Sequence, residues 1–195
     1  MHLFLFDHPQ DVTQEELNKD LLLLPLWRRK KALSYKFLID QVLCTKAYLL
    51  LKNGLKEAYG IDGNPDFEYV RHDKPILKDY PHMHFNLSHC KRGVLCVIDD
   101  QPIGCDIEEI EEKLDLNLCR YCYNEHEIAD IIAADDPCVA FTRYWTIKEA
   151  VLKITGEGIN DNLPSLLTPS LLSRYSFDTQ IYTDKGFVYT VCQSR

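Results

Sequence analysis

Strand-like and helix-like stretches occur in similar numbers in the two halves of this chain, and this mixture constrains the fold more than any other feature. Short runs rich in branched and aromatic residues indicate strands, whereas longer runs rich in leucine, alanine and lysine have helical spacing. Strands are expected at 2–6, 67–70, 84–88, 93–98, 103–108, 175–182 and 187–192, and helices at 26–34, 37–52, 125–134 and 138–155. The sequence therefore predicts an α+β fold.

Local signals add detail to several of these elements. Residues 2–6 are expected to form an edge strand, and Thr13 with Glu16 has the spacing of a capping box at the start of a brief helix. Gly54 is expected to end the helix that precedes it. Residues 84–108 are expected to form an antiparallel meander of three strands. No internal sequence repeat or linker divides the chain.

Composition and charge exclude several classes of protein. The chain has 195 residues, enough for one good-sized core or two small ones, and its 22 basic and 30 acidic residues give a net charge of -8. It therefore lacks the basic footprint that general nucleic-acid binding requires. No run is long enough to span a bilayer, and residues 1–9 lack the features of a signal peptide. We expect a cytoplasmic protein with neither nucleic acid nor a membrane as a partner.

Eight cysteines are scattered through apolar stretches, which is typical of reduced and mostly buried thiols. Cys119 and Cys122 have the spacing of redox and zinc sites. However, no second pair or set of histidines stands at the distance that a zinc finger needs. The sequence therefore favours a structural role over a metal or redox role for this pair.

The segment 145–153 has an unusual mixture of residues on one side of its predicted helix. That side carries Trp145, Lys148, Glu149, Leu152 and Lys153. An aromatic side chain seeks a surface to cover whereas charged groups seek water, so the mixture suggests the wall of a polar cleft. An ordinary Glu149–Lys153 ion pair beside a packed tryptophan explains the same pattern.

Two carboxylates lie on one face of the strand predicted at 103–108, because side chains alternate between the faces of a strand. The Cα atoms of Asp106 and Glu108 are about 7 Å apart, a span that a hard cation bound between the two side chains can bridge. With Glu149 as a third ligand, this all-oxygen set favours Mg²⁺ or Mn²⁺ over zinc. Gly104 indicates a close approach of another backbone or a ligand. A solvated acidic edge strand is the alternative.

Three motifs together resemble the signature of the 4'-phosphopantetheinyl transferases, most closely their longer, monomeric Sfp-type branch. The motifs are Phe85-Asn-Leu-Ser88-His89, Pro102-Ile-Gly104-Cys-Asp106-Ile-Glu108 and Trp145-x-x-Lys148-Glu149-Ala-x-x-Lys153. The resemblance is dense from Lys74 to Gly158 and thin elsewhere. It agrees with a magnesium-bound polyphosphate ester, which the acidic strand implies because Mg²⁺ completes its coordination with water and phosphate oxygens.

The resemblance implies transfer of the 4'-phosphopantetheine arm of coenzyme A to a serine of an apo acyl or peptidyl carrier protein. This is the reaction of a holo-[acyl-carrier-protein] synthase; it depends on Mg²⁺ and releases adenosine 3',5'-bisphosphate. The resemblance also implies a monomer of two similar α+β subdomains, each with a small antiparallel sheet and a long helix. Coenzyme A would lie between them. On this chain the subdomains are expected at 1–101 and 102–195.

The resemblance also implies roles for residues of the second subdomain. The residues that resemble the Mg²⁺ ligands are Asp106, Glu108 and Glu149. Lys148 and Lys153 resemble lysines that act near the phosphates as point charges. The proton of the carrier serine would pass to Glu149 or to a metal-bound water that Glu149 holds. Glu127 resembles an acidic position near the metal, and Trp145 is assigned to packing of its helix.

In the first subdomain, Ser88 and His89 resemble a pair on the 3'-phosphate side of coenzyme A, and Lys74 resembles a lysine that reaches the same nucleotide. The run Arg28-Arg-Lys-Lys31 corresponds to a place where the family has basic side chains near the 3'-phosphate. Arg28 and Lys31 are the expected contacts, although the run does not decide between its four residues. A solvated helix face and a surface for an acidic carrier protein are alternatives.

Two other functions compete with an active transferase. A catalytically inactive module that binds coenzyme A or a carrier protein is the first, and the intact set of carboxylates and lysines speaks against it. A different Mg²⁺-dependent phosphotransferase would need a glycine-rich phosphate loop, which the sequence lacks. Which carrier protein is native is left open.

Overall fold

A computed structural model of the protein describes residues 1–70, 74–158 and 162–195. Two compact units follow one another along the chain, residues 1–100 and residues 101–195. Both combine helices with small antiparallel sheets, so the predicted α+β class is confirmed. Among the described residues, no helix is both long and apolar enough to cross a membrane.

The first unit contains three helices and five strands in its described part. They are β1 (His2–Phe6), α1 (Gln14–Leu22), α2 (Leu26–Leu33), α3 (Leu38–Tyr59), β2 (Phe67–Tyr69), β3 (Pro75–Leu77), β4 (His84–Cys90) and β5 (Gly93–Asp99). The described part of the second unit contains β6 (Ile103–Glu109), α4 (Leu116–Cys122), α5 (Glu125–Ala133), α6 (Pro137–Thr155), α7 (Pro169–Leu172), β7 (Tyr175–Tyr182) and β8 (Phe187–Ser194). Single-turn 3-10 helices lie at Pro9–Asp11 and Leu163–Ser165.

The two units share one sheet topology although no repeat is visible in the sequence. In each unit a strand precedes a long helix and a hairpin follows it, and the first strand pairs with the last. The sheet orders are β1-β5-β4 and β6-β8-β7, with antiparallel neighbours throughout. Leu51 of α3 packs with β5 residues in one core, and Val151 of α6 packs with Cys192 of β8 in the other.

Several local predictions are confirmed and two are wrong. The edge strand β1 and the capping box of Thr13 and Glu16 are present, and the strands expected at 175–182 and 187–192 are β7 and β8, which pair with each other. The three-stranded meander is wrong, because β5 pairs with β1 and β4 whereas β6 pairs with β8. The helix stop at Gly54 is also wrong. Helix α3 continues to Tyr59 and ends at Gly60, whose φ of 67° suits glycine.

Gly104 sets how closely helix α6 packs on strand β6. A Cβ atom at this position would collide with the carbonyl oxygen of Ala150 and lie 2.8 Å from the amide nitrogen of Ile154. The close approach that the glycine indicated is therefore that of the α6 backbone. Because α6 also carries Glu149 and Lys153, this contact fixes the distance from those side chains to β6.

We expect Gly104→Ala to lower the free energy of unfolding by roughly 2–3 kcal/mol, because backbone atoms cannot move aside without opening the α6–β6 contact. Urea unfolding followed by circular dichroism measures the loss. Gly60→Ala is the matched control, since no atom lies within 4 Å of its Cβ position and only its positive φ opposes the change. That control should cost about 1 kcal/mol. Equal losses for both variants would contradict the close packing.

Candidate active site

Strand β6 and helix α6 bring four of the predicted site residues together. Asp106 lies opposite Thr190 of β8 and is 1% exposed, so its carboxylate faces the protein interior and not solvent. Glu108, on the same face of β6, is half-buried. The charges that act on Glu108 include those of Asp106, Lys153 and Glu149. The alternative of a solvated acidic edge strand is therefore wrong, although β6 is an edge strand of its sheet.

Lys153 and Asp106 form an ion pair within this group. Lys153 Nζ donates to Asp106 Oδ1 at 2.5 Å, and the lysine side chain is 28% exposed whereas that of Asp106 is 2% exposed. Burial alone would lower the pKa of Lys153, but the Asp106 carboxylate and other nearby anionic groups outweigh it and the pKa is raised. The ammonium group thus stays charged and balances one of three neighbouring carboxylates.

The other two carboxylates, those of Glu108 and Glu149, lie in surroundings that oppose their ionisation. Burial, reinforced by the charge of Asp106, raises the pKa of Glu108 to about 7, although Lys153 and the Trp145 indole oppose the shift. Burial and Asp106 also raise the pKa of Glu149. A bound cation would remove this repulsion, so the chemistry of the three side chains fits a hard divalent ion.

In this structure one of the three carboxylates, that of Asp106, is paired with Lys153. Within the described ranges, no group of three or more His, Cys, Asp and Glu side chains has the spacing of a metal site. Asp106 Oδ1 is bonded to Lys153 Nζ instead. An all-oxygen donor set in which burial raises the pKa of Glu108 and Glu149 nevertheless suits Mg²⁺, and Asp106 would complete the set that holds it.

The raised pKa of Glu108 predicts a pH-dependent stability. The folded protein keeps the Glu108 proton up to about pH 7 whereas the unfolded chain releases it near pH 4.5, so this contribution to stability is complete below pH 4.5 and is lost as the pH rises through 7. Glu108→Gln removes the effect. We expect the unfolding free energy of the variant, relative to the parent, to rise by roughly 1–2 kcal/mol between pH 5 and pH 8.

This measurement is made by urea unfolding in metal-free buffer. Glu112→Gln, which alters an exposed acid of the following loop, is the control and should show no pH-dependent difference. A constant difference between Glu108→Gln and the parent across the pH range would contradict the raised pKa.

Lys148 lies away from this carboxylate group, in the interior of the second unit. Its side chain is 0% exposed, and Nζ donates to the carbonyl oxygens of Cys122 at 3.0 Å and Leu163 at 2.6 Å and to Glu127 Oε2 at 2.8 Å. Burial lowers the pKa of Lys148, and the Glu127 carboxylate opposes this shift. The three donors of the ammonium group therefore all have protein partners.

Glu127 joins Lys148 to the start of helix α5. The Asn124 amide donates to Glu127 Oε2 and the Glu127 amide donates to Asn124 Oδ1, both at 2.9 Å, which completes a capping box. Asn124 Nδ2 also donates to the Pro164 carbonyl oxygen at 3.1 Å. One buried cluster thus connects α5 and α6 with the end of α4 and the 3-10 turn. Sequence reasoning missed it, although the Asn124-x-x-Glu127 spacing was a visible capping signal.

The side chains that the sequence placed on one side of α6 therefore have two different surroundings. Leu152 packs in the apolar cluster that includes Cys122 of α4 and Ile131 of α5. Trp145 packs against the same cluster, and its indole also donates a hydrogen bond to Glu108. Glu149 and Lys153 interact with Asp106 of β6. The expected packing role of Trp145 agrees with this arrangement, whereas a single polar wall does not.

The predicted nucleotide contacts lie in the first unit. Ser88 is buried on the same face of β4 as Asn86, whereas His89 is exposed on the opposite face. Lys74 is half-buried just before β3, where burial lowers its pKa. The pKa of His84 is lowered mainly by burial and next by the positive charge of Lys74. The structure therefore separates Ser88 from His89 and places Lys74 near the start of β4.

The two arginines of the basic run are engaged with the backbone. Arg28 Nη2 donates to the Cys44 carbonyl oxygen at 3.0 Å, and Arg29 Nε donates to the Leu21 carbonyl oxygen at 2.7 Å. The side chains of Lys30 and Lys31 are exposed. The lysines of this run are thus the more accessible cations.

Comparisons with known proteins agree with the motifs. A family model described as the 4'-phosphopantetheinyl transferase superfamily matches residues 102–184. The 4'-phosphopantetheinyl transferase psf-1 of Bacillus pumilus is 33% identical over 141 residues, which cover 71% of this chain and 60% of that protein. The 4'-phosphopantetheinyl transferase ffp of Bacillus subtilis is 24% identical over 204 residues, which cover 94% of this chain and 88% of that protein.

The chain belongs to the 4'-phosphopantetheinyl transferase superfamily. The region that matches the superfamily model includes Asp106, Glu108, Glu149 and Lys153. Sfp of Bacillus subtilis, also a 4'-phosphopantetheinyl transferase, is 28% identical over 157 residues, which cover 79% of this chain and 70% of Sfp. The match spans three fifths of the length of psf-1 and about half of the gsp protein of Aneurinibacillus migulanus.

The cysteines of this superfamily member are free thiols, and six of the eight are buried. The prediction of mostly buried thiols is confirmed. Cys119 and Cys122 contribute to the apolar cluster beneath α4, and burial raises the pKa of both. These properties favour the structural role over a reactive one.

Proposed function

We propose that the protein transfers the 4'-phosphopantetheine arm of coenzyme A to a serine hydroxyl of an apo acyl or peptidyl carrier protein. The enzyme would be a holo-[acyl-carrier-protein] synthase of the Sfp type that uses Mg²⁺ and releases adenosine 3',5'-bisphosphate. The observation that carries the proposal is the group of three carboxylates and Lys153, because it lies within the region that matches the superfamily.

Asp106, Glu108 and Glu149 would hold the Mg²⁺ ion. When bound, the ion neutralises charge on the phosphate oxygens and orients the leaving group. Glu149 is the proposed acceptor of the serine proton, since a carboxylate whose pKa is raised by burial is a stronger base at neutral pH. Lys153, whose ammonium group remains charged, would contact the phosphates from the same side.

For Lys148 we propose a positioning role in place of the expected phosphate contact. Its ammonium group donates all three hydrogen bonds to protein atoms. If Lys148 moved to contact a phosphate, the Glu127 carboxylate would remain buried without its counter-charge. The pair fixes the orientation of α6 from one side, and the contact at Gly104 fixes it from another. Together they set where Glu149 stands relative to Asp106.

The proposed nucleotide contacts are residues of the expected subdomain 1–101, with the catalytic group in 102–195. They are Lys74, Ser88, His89, Arg28 and Lys31. The exposed side chain of Lys31 supports a phosphate contact more directly than that of Arg28, which already binds the Cys44 carbonyl oxygen. We propose that the protein acts as a monomer.

Intact-mass analysis of an apo carrier protein incubated with this protein, coenzyme A and Mg²⁺ tests the proposal. We expect the mass to increase by one phosphopantetheine group, and the increase to disappear when EDTA is added. Fatty-acid, polyketide and peptide-synthetase carriers are compared in parallel to identify the preferred partner. Binding of coenzyme A by calorimetry without any adduct on these carriers would favour the inactive binding module instead.

A further inference from the structure

The first unit exposes an unusual number of large hydrophobic side chains between residues 22 and 38. Leu22 and Leu26 are each 71% exposed and Phe37 is 60% exposed. The others in this segment are Leu23, Trp27, Leu33, Tyr35 and Leu38. These eight are nearly half of the 17 exposed large hydrophobics among the described residues. Scattered exposed apolar residues are ordinary, but such a concentration indicates an interaction surface.

The same segment carries a strong positive charge on an acidic protein. Residues 21–39 include five basic residues and no acidic one, so the rest of the chain has 17 basic and 30 acidic residues. Lys30, Lys31 and Lys36 are exposed. Local positive potential of this kind attracts an anionic partner in spite of the net charge of -8.

Helix α2 arranges the two kinds of side chain on one outer face. Its buried side is occupied by Ala32, which is 0% exposed. On the opposite side Leu26, Lys30 and Leu33 follow the helical i, i+4, i+7 spacing, with Trp27 and Lys31 on the adjacent row. The exposed leucines at the end of α1 and the exposed Phe37 lie only a few residues beyond the ends of α2. The exposed side chains of residues 22–38 are called the α2 surface below.

We propose that the α2 surface binds the anionic headgroup layer of a lipid membrane. Leucine and phenylalanine side chains insert at the boundary between headgroups and acyl chains, while Lys30 and Lys36 reach the phosphate groups. Negative surface potential adds to the binding through each lysine. Such a contact needs no spanning helix, so it revises the expectation that a membrane is not a partner.

Other occupants explain the α2 surface less completely. A small phosphate compound would account for the lysines but not for Leu22, Leu26 and Phe37. A second copy of this chain placed face to face would bring five cations against five. An acidic protein would match the charge, but its carboxylates would offer no apolar partner for the exposed Leu22, Leu26 and Phe37, whereas a membrane offers acyl chains beside its phosphates.

The test is sedimentation of the full chain with phosphatidylcholine vesicles, with and without 30% phosphatidylglycerol. We expect the partition coefficient to be at least about tenfold higher for the anionic vesicles and to fall steeply when the salt concentration is raised. Equal binding to both vesicles, or no binding to either, would overturn the proposal.

Variants locate the contact on the α2 surface. Lys36→Gln should lower the partition coefficient about fivefold, and Leu22→Ser with Leu26→Ser should lower it by about tenfold or more. Ile132→Ser with Ile181→Ser is the matched control, because it removes two exposed apolar side chains of the second unit, and it should not change binding. None of these positions belongs to the proposed catalytic group or coenzyme A contacts.

Transfer assays distinguish the membrane from a protein partner. The variant with Leu22→Ser and Leu26→Ser should keep the KM of the parent protein for a soluble carrier protein. A rise in that KM, without any vesicle binding by the parent protein, would assign the α2 surface to an acidic carrier protein and overturn the membrane proposal. Vesicle binding is measured without transfer, so the vesicle test does not depend on the proposed function, whereas the KM comparison rests on it.

Discussion

Glu149→Gln is expected to lower the rate of phosphopantetheine transfer by about a thousandfold or more while the protein remains folded. The change removes one proposed Mg²⁺ ligand and the proposed proton acceptor, and each is a source of several kcal/mol of transition-state stabilisation. Stability should not fall, because burial and Asp106 already raise the pKa of Glu149 and a neutral amide relieves that repulsion. We expect an unchanged or higher Tm at pH 8.

Two measurements separate loss of the metal from loss of the fold. Electron paramagnetic resonance of Mn²⁺ added to the free protein should show weaker binding by the variant, and circular dichroism should show the same melting behaviour or better. Glu112→Gln, which removes one negative charge from the exposed loop after β6, is the control for net charge. A Glu149→Gln protein that retains a tenth of the parent activity would remove Glu149 from the proposed chemistry.

The sequence predicted local elements better than it predicted their partners. The turn from Asp99 to Pro102 has the composition of a hairpin turn, and this suggested that β6 would pair with β5. Both hydrogen-bonding edges of β5 are already used, however, by β4 and by β1, which lies about 90 residues earlier in the chain. Local turn chemistry carries no information about such a distant strand, so the meander could not be excluded from sequence.

In the candidate site, too, the sequence predicted local patterns better than the contacts between elements. The alternation of β6 placed Asp106 and Glu108 on one face, and the period of α6 placed Glu149 and Lys153 on one side, since each pattern fixes which side chains share a face. That these two faces belong to one site was implied by the resemblance to the family. Periodicity did not reveal what a helix face packs against. The partners of Lys148 come from three separate segments, at Cys122, Glu127 and Leu163, so only the folded chain shows that this lysine is buried.

Lys148→Met is expected to lower the free energy of unfolding by about 3–5 kcal/mol, because it leaves the Glu127 carboxylate buried without its counter-charge. Urea unfolding measures the loss. The double variant Lys148→Met with Glu127→Leu should recover most of it, since an apolar pair of similar volume carries no desolvation penalty. Equal stability of the single variant and the parent would contradict the buried ion pair.

The double variant also separates the two roles considered for Lys148. If the lysine only positions α6, a folded double variant should keep its KM for coenzyme A, and any loss should appear in kcat through displacement of Glu149. If the lysine touches a phosphate, KM for coenzyme A should rise in the single and double variants alike. Lys153→Met provides the comparison, because Lys153 pairs with Asp106 in the carboxylate group and is the proposed phosphate contact. A shared increase in KM for all three variants would return Lys148 to the phosphate site.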